Sequence, residues 1–190
     1  EDSDPLSCML APKEDGWSRF YASADLRAEI EKDLERLVMA GLADDHFTAS
    51  TFRESMLSVL TVWSTAHSDV GYRQGMHEIA ALVTLVLEDE AAYGCRDADR
   101  EADCYALFEA VMKDHKQYFR ADKGQQAPVL EACRRASGES LSKVDPRLAR
   151  FLEDNELEPQ LYGLRWARLL FSREVPAPAN LALCDALFAL

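Results

Sequence analysis

Gly71-Tyr72-Arg73-Gln74-Gly75-Met76-His77-Glu78 crowds two glycines, an aromatic ring, an amide and several charges together, and Ile79-Ala80-Ala81-Leu82-Val83-Thr84-Leu85-Val86-Leu87 follows directly. In the second run Met76, Ile79, Leu82, Val83, Val86 and Leu87 recur at spacings of three and four. The remaining positions are mostly apolar too, which predicts a helix starting near Gly75 and buried around much of its girth. The first run is the polar junction that opens this helix. Glycine there provides backbone freedom, and Gln74 is either a solvated turn residue or an amide presented to a partner. On these residues alone the solvated turn is the commoner case.

Working outward, the chain continues in helical periods. Upstream, Ser23 is a candidate N-cap for a helix whose stripe is Leu26, Ile30, Leu34, Leu37 and Val38, ended by Gly41. A second helix from about Thr51 carries Phe52, Met56, Leu60, Trp63 and His67. Downstream, Glu88 to Asp103 reads as an exposed acidic loop with a helix starting within it. Tyr105, Phe108, Val111, Met112, His115 and Phe119 form the next stripe, and residues 121–128 read as a linker. Val144, Leu148, Phe151 and Leu152 mark another helix. Pro159 opens one more, which Pro176 and Pro178 stop, and Leu181, Cys184, Leu187 and Phe188 suggest a last one. Residues 1–16 are turn-forming and read as an extended lead-in, with Trp17, Phe20 and Tyr21 as anchors. No alternating strand pattern competes and no fixed-length repeat is visible. The expectation is a single all-α domain over 1–190, an irregular helical bundle.

Bulk properties narrow the function classes. The 190 residues are 48% hydrophobic, enough for one sizeable core. A net charge of −13 argues against nucleic acid or an anionic membrane as a direct partner. The five cysteines form no C-x-x-C pair, so neither a zinc site nor a disulfide framework is indicated. The apolar run Ile79–Leu87 is far short of the roughly 20 residues a membrane span needs. No basic and apolar leader opens the chain. The expected setting is cytoplasmic, with no direct membrane insertion, and the expected state is monomeric.

Ordinary catalytic constellations are missing. His77-Glu78 fails H-E-x-x-H because Ala81 stands where the second histidine must be, and no G-x-S-x-G or G-x-x-x-x-G-K-[ST] occurs. What remains is Ile30-Glu31-Lys32-Asp33-Leu34-Glu35-Arg36. At about 100° per residue from Ile30, Asp33 falls near 300° and Arg36 near 240°, beside an apolar arc from about 340° to about 80°. An i,i+3 carboxylate there can hold an arginine stem with its head outward, although such a pair is more often a weak surface ion pair.

Ile-x-x-Asp-x-x-Arg over 30–36 followed by Tyr-x-Gln over 72–74 resembles the TBC domain of Rab GTPase-activating proteins. The resemblance extends, in order, to Asp4-Pro5-Leu6-Ser7, to Tyr72-Arg73-Gln74-Gly75-Met76-His77-Glu78-Ile79, and to Glu158-Pro159-Gln160-Leu161-Tyr162-Gly163-Leu164-Arg165-Trp166 with Leu169-Leu170-Phe171-Ser172-Arg173-Glu174-Val175-Pro176. Gly-Met-His-Glu, where many members carry Gly-Met-Asn-Asp, is similar to the subgroup with an endosomal, retromer-associated member. Leu37-Val38-Met39 departs from the usual Thr and aromatic-Pro, and Cys184-Asp185 stands where Trp-Asp is common.

The resemblance implies the N-terminal and central helices of a TBC bundle. It also implies an activator, not itself an enzyme, that lends two fingers to a GTP-bound Rab-family GTPase. Arg36 would be the arginine finger and Gln74 the glutamine finger, lining one exposed groove. Asp33 would orient Arg36, Gly71 and Gly75 would allow close approach, and Tyr72 would pack or contact. Arg165 and Trp166 lie in a family-like motif but read as structural on their own chemistry, a buried Trp with an arginine bridging helices being the commoner case. GTP and magnesium would belong to the partner, with no cofactor held by this chain. The location implied is cytoplasmic or peripheral on endosomal or other trafficking membranes. The alternative is a catalytically weak or inactive Rab-binding scaffold in membrane trafficking.

Overall fold

The computed structural model of the protein describes residues 16–39, 41–42, 50–91, 99–120 and 127–189. These residues form nine α-helical segments: α1 (Gly16–Leu34), α2 (Ser50–Ala66), α3 (Met76–Ala91), α4 (Arg100–His115), α5 (Pro128–Arg135), the single turn α6 (Ser142–Val144), α7 (Pro146–Asp154), α8 (Pro159–Leu169) and α9 (Ala177–Phe188). A 3₁₀ turn, Lys116–Phe119, extends α4, and a π-helical turn, Ala136–Leu141, joins α5 to α6. No strand occurs among the described residues, so the all-α expectation holds.

The apolar girth read after Gly75 places α3 at the centre, packed by α1, α2, α4, α8 and α9. Met76, Ala80 and Ala81 have no exposure, and over residues 76–87 Val86 is the apolar residue that reaches solvent appreciably. Thr84 is tolerated there because its hydroxyl donates to the Ala80 carbonyl at 2.8 Å. Trp63 of α2 and Phe108 of α4, both fully buried, meet edge to face at 5.6 Å and close the core on one side.

Several boundaries differ from the expectations. The backbone of α1 begins at Gly16, so Ser23 lies within the helix; of the lead-in, residues 1–15 lie outside the described residues. The helix also ends at Leu34 rather than Gly41. Arg36 N–H donates to Asp33 O at 3.2 Å and Leu37 N–H to Leu34 O at 3.3 Å, a tightened turn that drops Leu37 and Met39 into the core and leaves Val38 outside. The acidic stretch is helical up to Ala91 and again from Arg100. Pro128 starts α5 instead of closing a linker, and Pro178 sits in the first turn of α9, where proline is tolerated. Asp145 caps α7 by accepting from the N–H groups of Arg147 and Leu148. Yet α7 buries no residue, and the stripe Val144, Leu148 and Phe151 lies exposed.

Candidate functional site

Two turns meet beside the first turn of α3. One follows α1 and carries Arg36; the other precedes α3 and carries Gln74. Both residues line a single pocket of about 380 Å³, with Asp33, Leu37 and Val38 on one wall and His77, Glu78 and Arg173 on the other. Arg36 and Gln74 are exposed, and neither side chain has a hydrogen-bond or ion-pair partner among the described residues.

The two glycines serve the second turn differently. Gly71 has φ +64° with open space where a side chain would point. Gly75 has φ +104°, and a Cβ there would come within 2.5 Å of Leu169 Cδ2. Gly75 is buried against the molecule's own α8, so it is an internal packing requirement and not a point of approach for a partner. Tyr72 is buried at 4% exposure.

Asp33 does not hold Arg36. Its carboxylate accepts from the Tyr72 hydroxyl at 2.9 Å, and its only link to Arg36 in the described residues runs through the main chain. The helix ends before Arg36, so the wheel geometry that paired the two no longer applies. Tyr72 Oη also lies 3.0 Å from His77 Nδ1. Burial pushes the Tyr72 hydroxyl well above its ordinary range, with the Asp33 hydrogen bond adding to it, so the phenol stays a proton donor. His77 is lowered from its ordinary value chiefly by burial, against the raising influence of Glu78 and Asp33.

Glu78, 2% exposed, is the buried charge of the site. Its Oε1 accepts from Arg173 Nε at 2.8 Å and Nη2 at 2.5 Å, while Ser172 Oγ donates to Oε2 at 2.6 Å. That hydrogen bond holds the Arg173 guanidinium above its ordinary value. Ser172 and Arg173 reach Glu78 because Leu170 and Phe171 both take left-handed conformations, φ 49° and 59°, uncommon for non-glycine residues and costing of order 1–3 kcal/mol each. Sequence reasoning missed His77, Glu78, Ser172 and Arg173 as site residues; only the quoted motifs in which they stand hinted at them.

Arg165 and Trp166 stand apart from the pocket. Arg165 is exposed and pairs with Glu174 just beyond its own helix, and Trp166 is half-buried, in contact with Phe171 and Tyr162. The expectation of a buried Trp with an arginine bridging helices is therefore corrected. No group of three or more His, Cys, Asp or Glu among the described residues is placed to hold a metal ion. No helix among them is long and apolar enough to cross a membrane.

Human TBC1 domain family member 5 is 28% identical over 211 aligned positions, covering 91% of this chain and 26% of that protein. TBC1 domain family member 5 homolog B of Dictyostelium discoideum is 29% identical over 138 positions, 65% of this chain and 13% of the other. The chain thus spans about a quarter or less of the length of these relatives. The crystal structure of the Ypt/Rab-GAP domain of Gyp1p superposes with a TM-score of 0.67 at 16% identity, covering 95% of this chain and 59% of that one, and so shares the fold. The family profile of the Rab-GTPase-TBC domain matches residues 15–189. The chain belongs to the Rab-GTPase-TBC domain family.

Proposed function

We propose that this chain is a GTPase-activating module for a Rab-family small GTPase and supplies Arg36 and Gln74 in trans to the GTP-bound partner. The observation that carries the reading is the placement of these two exposed side chains, without partners among the described residues, in the lining of one pocket. An arginine without an internal carboxylate keeps its donors for an incoming anion.

GTP hydrolysis passes through a loose transition state with charge spread over the transferring phosphoryl group. Arg36 stabilises that charge, and a finger of this kind is worth about 10³–10⁵ in rate, or about 4–7 kcal/mol. Gln74 orients the attacking water, since an amide donates and accepts at once. Asp33 and Tyr72 support the two turns from beneath, Asp33 acting on the backbone of the Arg36 turn. GTP and magnesium are bound by the partner; the chain contributes groups to a reaction and turns over no substrate by itself.

The test is single-turnover GTP hydrolysis across a panel of GTP-loaded Rab proteins. At least one rate should rise, and Arg36→Ala and Gln74→Ala should each remove most of the rise. Stimulation unchanged in both variants would overturn the two-finger reading. GTP-dependent binding without stimulation would assign the chain to a Rab-binding scaffold instead.

A further inference from the structure

We propose that His77 is a positioning residue which, through Tyr72 and Asp33, locks the Gln74 turn and the Arg36 turn into one geometry. The inference rests on the reading of the pocket above. Arg36 and Gln74 make no side-chain hydrogen bonds among the described residues, so their relative placement comes from the backbone turns and from what ties those turns together.

The tie has a direction. Tyr72 has one hydroxyl proton, and the acceptor-only carboxylate of Asp33 takes it at 2.9 Å. The Tyr72 oxygen can then meet His77 Nδ1 at 3.0 Å only if Nδ1 carries a proton and donates it. Gly75 N–H, 3.4 Å from the same nitrogen, is the weaker claimant. Donation therefore runs from His77 to Tyr72 to Asp33, whose main-chain carbonyl accepts from Arg36 N–H at 3.2 Å. His77 is anchored in turn. It is 4% exposed on the first turn of the central helix, so packing within the core fixes its ring. The buried start of α3 thus serves as the reference to which both turns are referred.

A histidine that merely fills space would tolerate any side chain of similar volume. A positioning histidine needs a donor at the δ position, which asparagine supplies and glutamine, with its amide one carbon further out, does not. The experiment uses the full chain and two readouts. One is the maximal stimulated rate and half-saturating concentration with a responsive Rab; the other is amide hydrogen exchange over residues 34–39 and 71–76 without a partner. His77→Ala should speed exchange in both turns and lower the maximal rate about 10- to 100-fold, with little change in half-saturation. His77→Asn should restore both readouts and His77→Gln neither. Tyr72→Phe should copy His77→Ala, with the double variant no worse than either single.

Wild-type exchange and wild-type maximal rate in His77→Ala, or equal rescue by Asn and Gln, would overturn the proposal. Should His77→Ala fail to fold, Tyr72→Phe keeps the ring and carries the same test. If no Rab responds to the wild-type chain, the functional reading fails, and the exchange pattern alone still decides the role of His77. If Arg36→Ala abolishes stimulation while His77→Ala retains it, this inference alone fails.

Discussion

Gly75 and Gln74 are adjacent, yet the structure asks opposite things of them. Gly75 combines φ +104° with a buried position where a Cβ would lie 2.5 Å from Leu169 Cδ2. Gly75→Ala should therefore cost about 2–4 kcal/mol, strain plus overpacking, read as a lower urea midpoint. Gly71→Ala meets open space and bears only the conformational cost, about 1 kcal/mol. Equal losses at the two positions would contradict this account. Gln74 and Arg36 are exposed and unpartnered among the described residues, so Arg36→Ala and Gln74→Ala should leave unfolding free energy within about 0.5 kcal/mol of wild type. A stability loss well beyond that would show that these side chains hold the fold together.

Between elements, the joint that matters is Glu78 on α3 with Ser172 and Arg173 beyond α8. A carboxylate at 2% exposure needs its partners, whereas the Arg173 side chain is 49% exposed and would remain solvated without it. Arg173→Ala should cost about 1–3 kcal/mol, below the full value for a buried pair because Ser172 still donates and water can enter. Adding Glu78→Gln to Arg173→Ala should recover part of the loss, because the stranded charge is gone. If the double variant is simply additive in urea unfolding, the two residues are not coupled. Two places show where a local pattern runs out. Pro128 reads as the end of a linker because it follows a polar segment, yet it opens α5. Val144, Leu148 and Phe151 read as a helix stripe, yet they lie exposed, because periodicity reports an apolar face but not what covers it.

For the molecule as a whole, two buried histidines set a pH dependence. His115 donates from Nε2 to the Arg168 carbonyl at 2.9 Å, and burial lowers its proton affinity, as it does for His77. Both folded values lie below the ordinary 6.5, so the unfolded chain takes up protons first as pH falls. Their contribution to stability is complete above about pH 6.5 and is lost as pH drops toward the folded values, by at most about 1.4 kcal/mol per pH unit for each group. Urea midpoints between pH 7.5 and 5.5 should decline, and His115→Gln should make the decline shallower. An unchanged slope in that variant would remove His115 from the account.

Periodicity and short motifs are local and survive in one dimension, so the helical class and the centrality of α3 were legible in the sequence, and Arg36 and Gln74 could be named from it as candidates. Tertiary structure alone decided the rest. Asp33 faces Tyr72 rather than Arg36 because α1 unwinds after Leu34 so that Leu37 and Met39 can be buried, a choice set by the core and not by the helix. Gly75 is required by Leu169, a residue from another helix. Glu78 and Arg173 became a pair only when α3 met the turn after α8, since a buried charge finds its partner through packing, at sequence separations that no local pattern encodes.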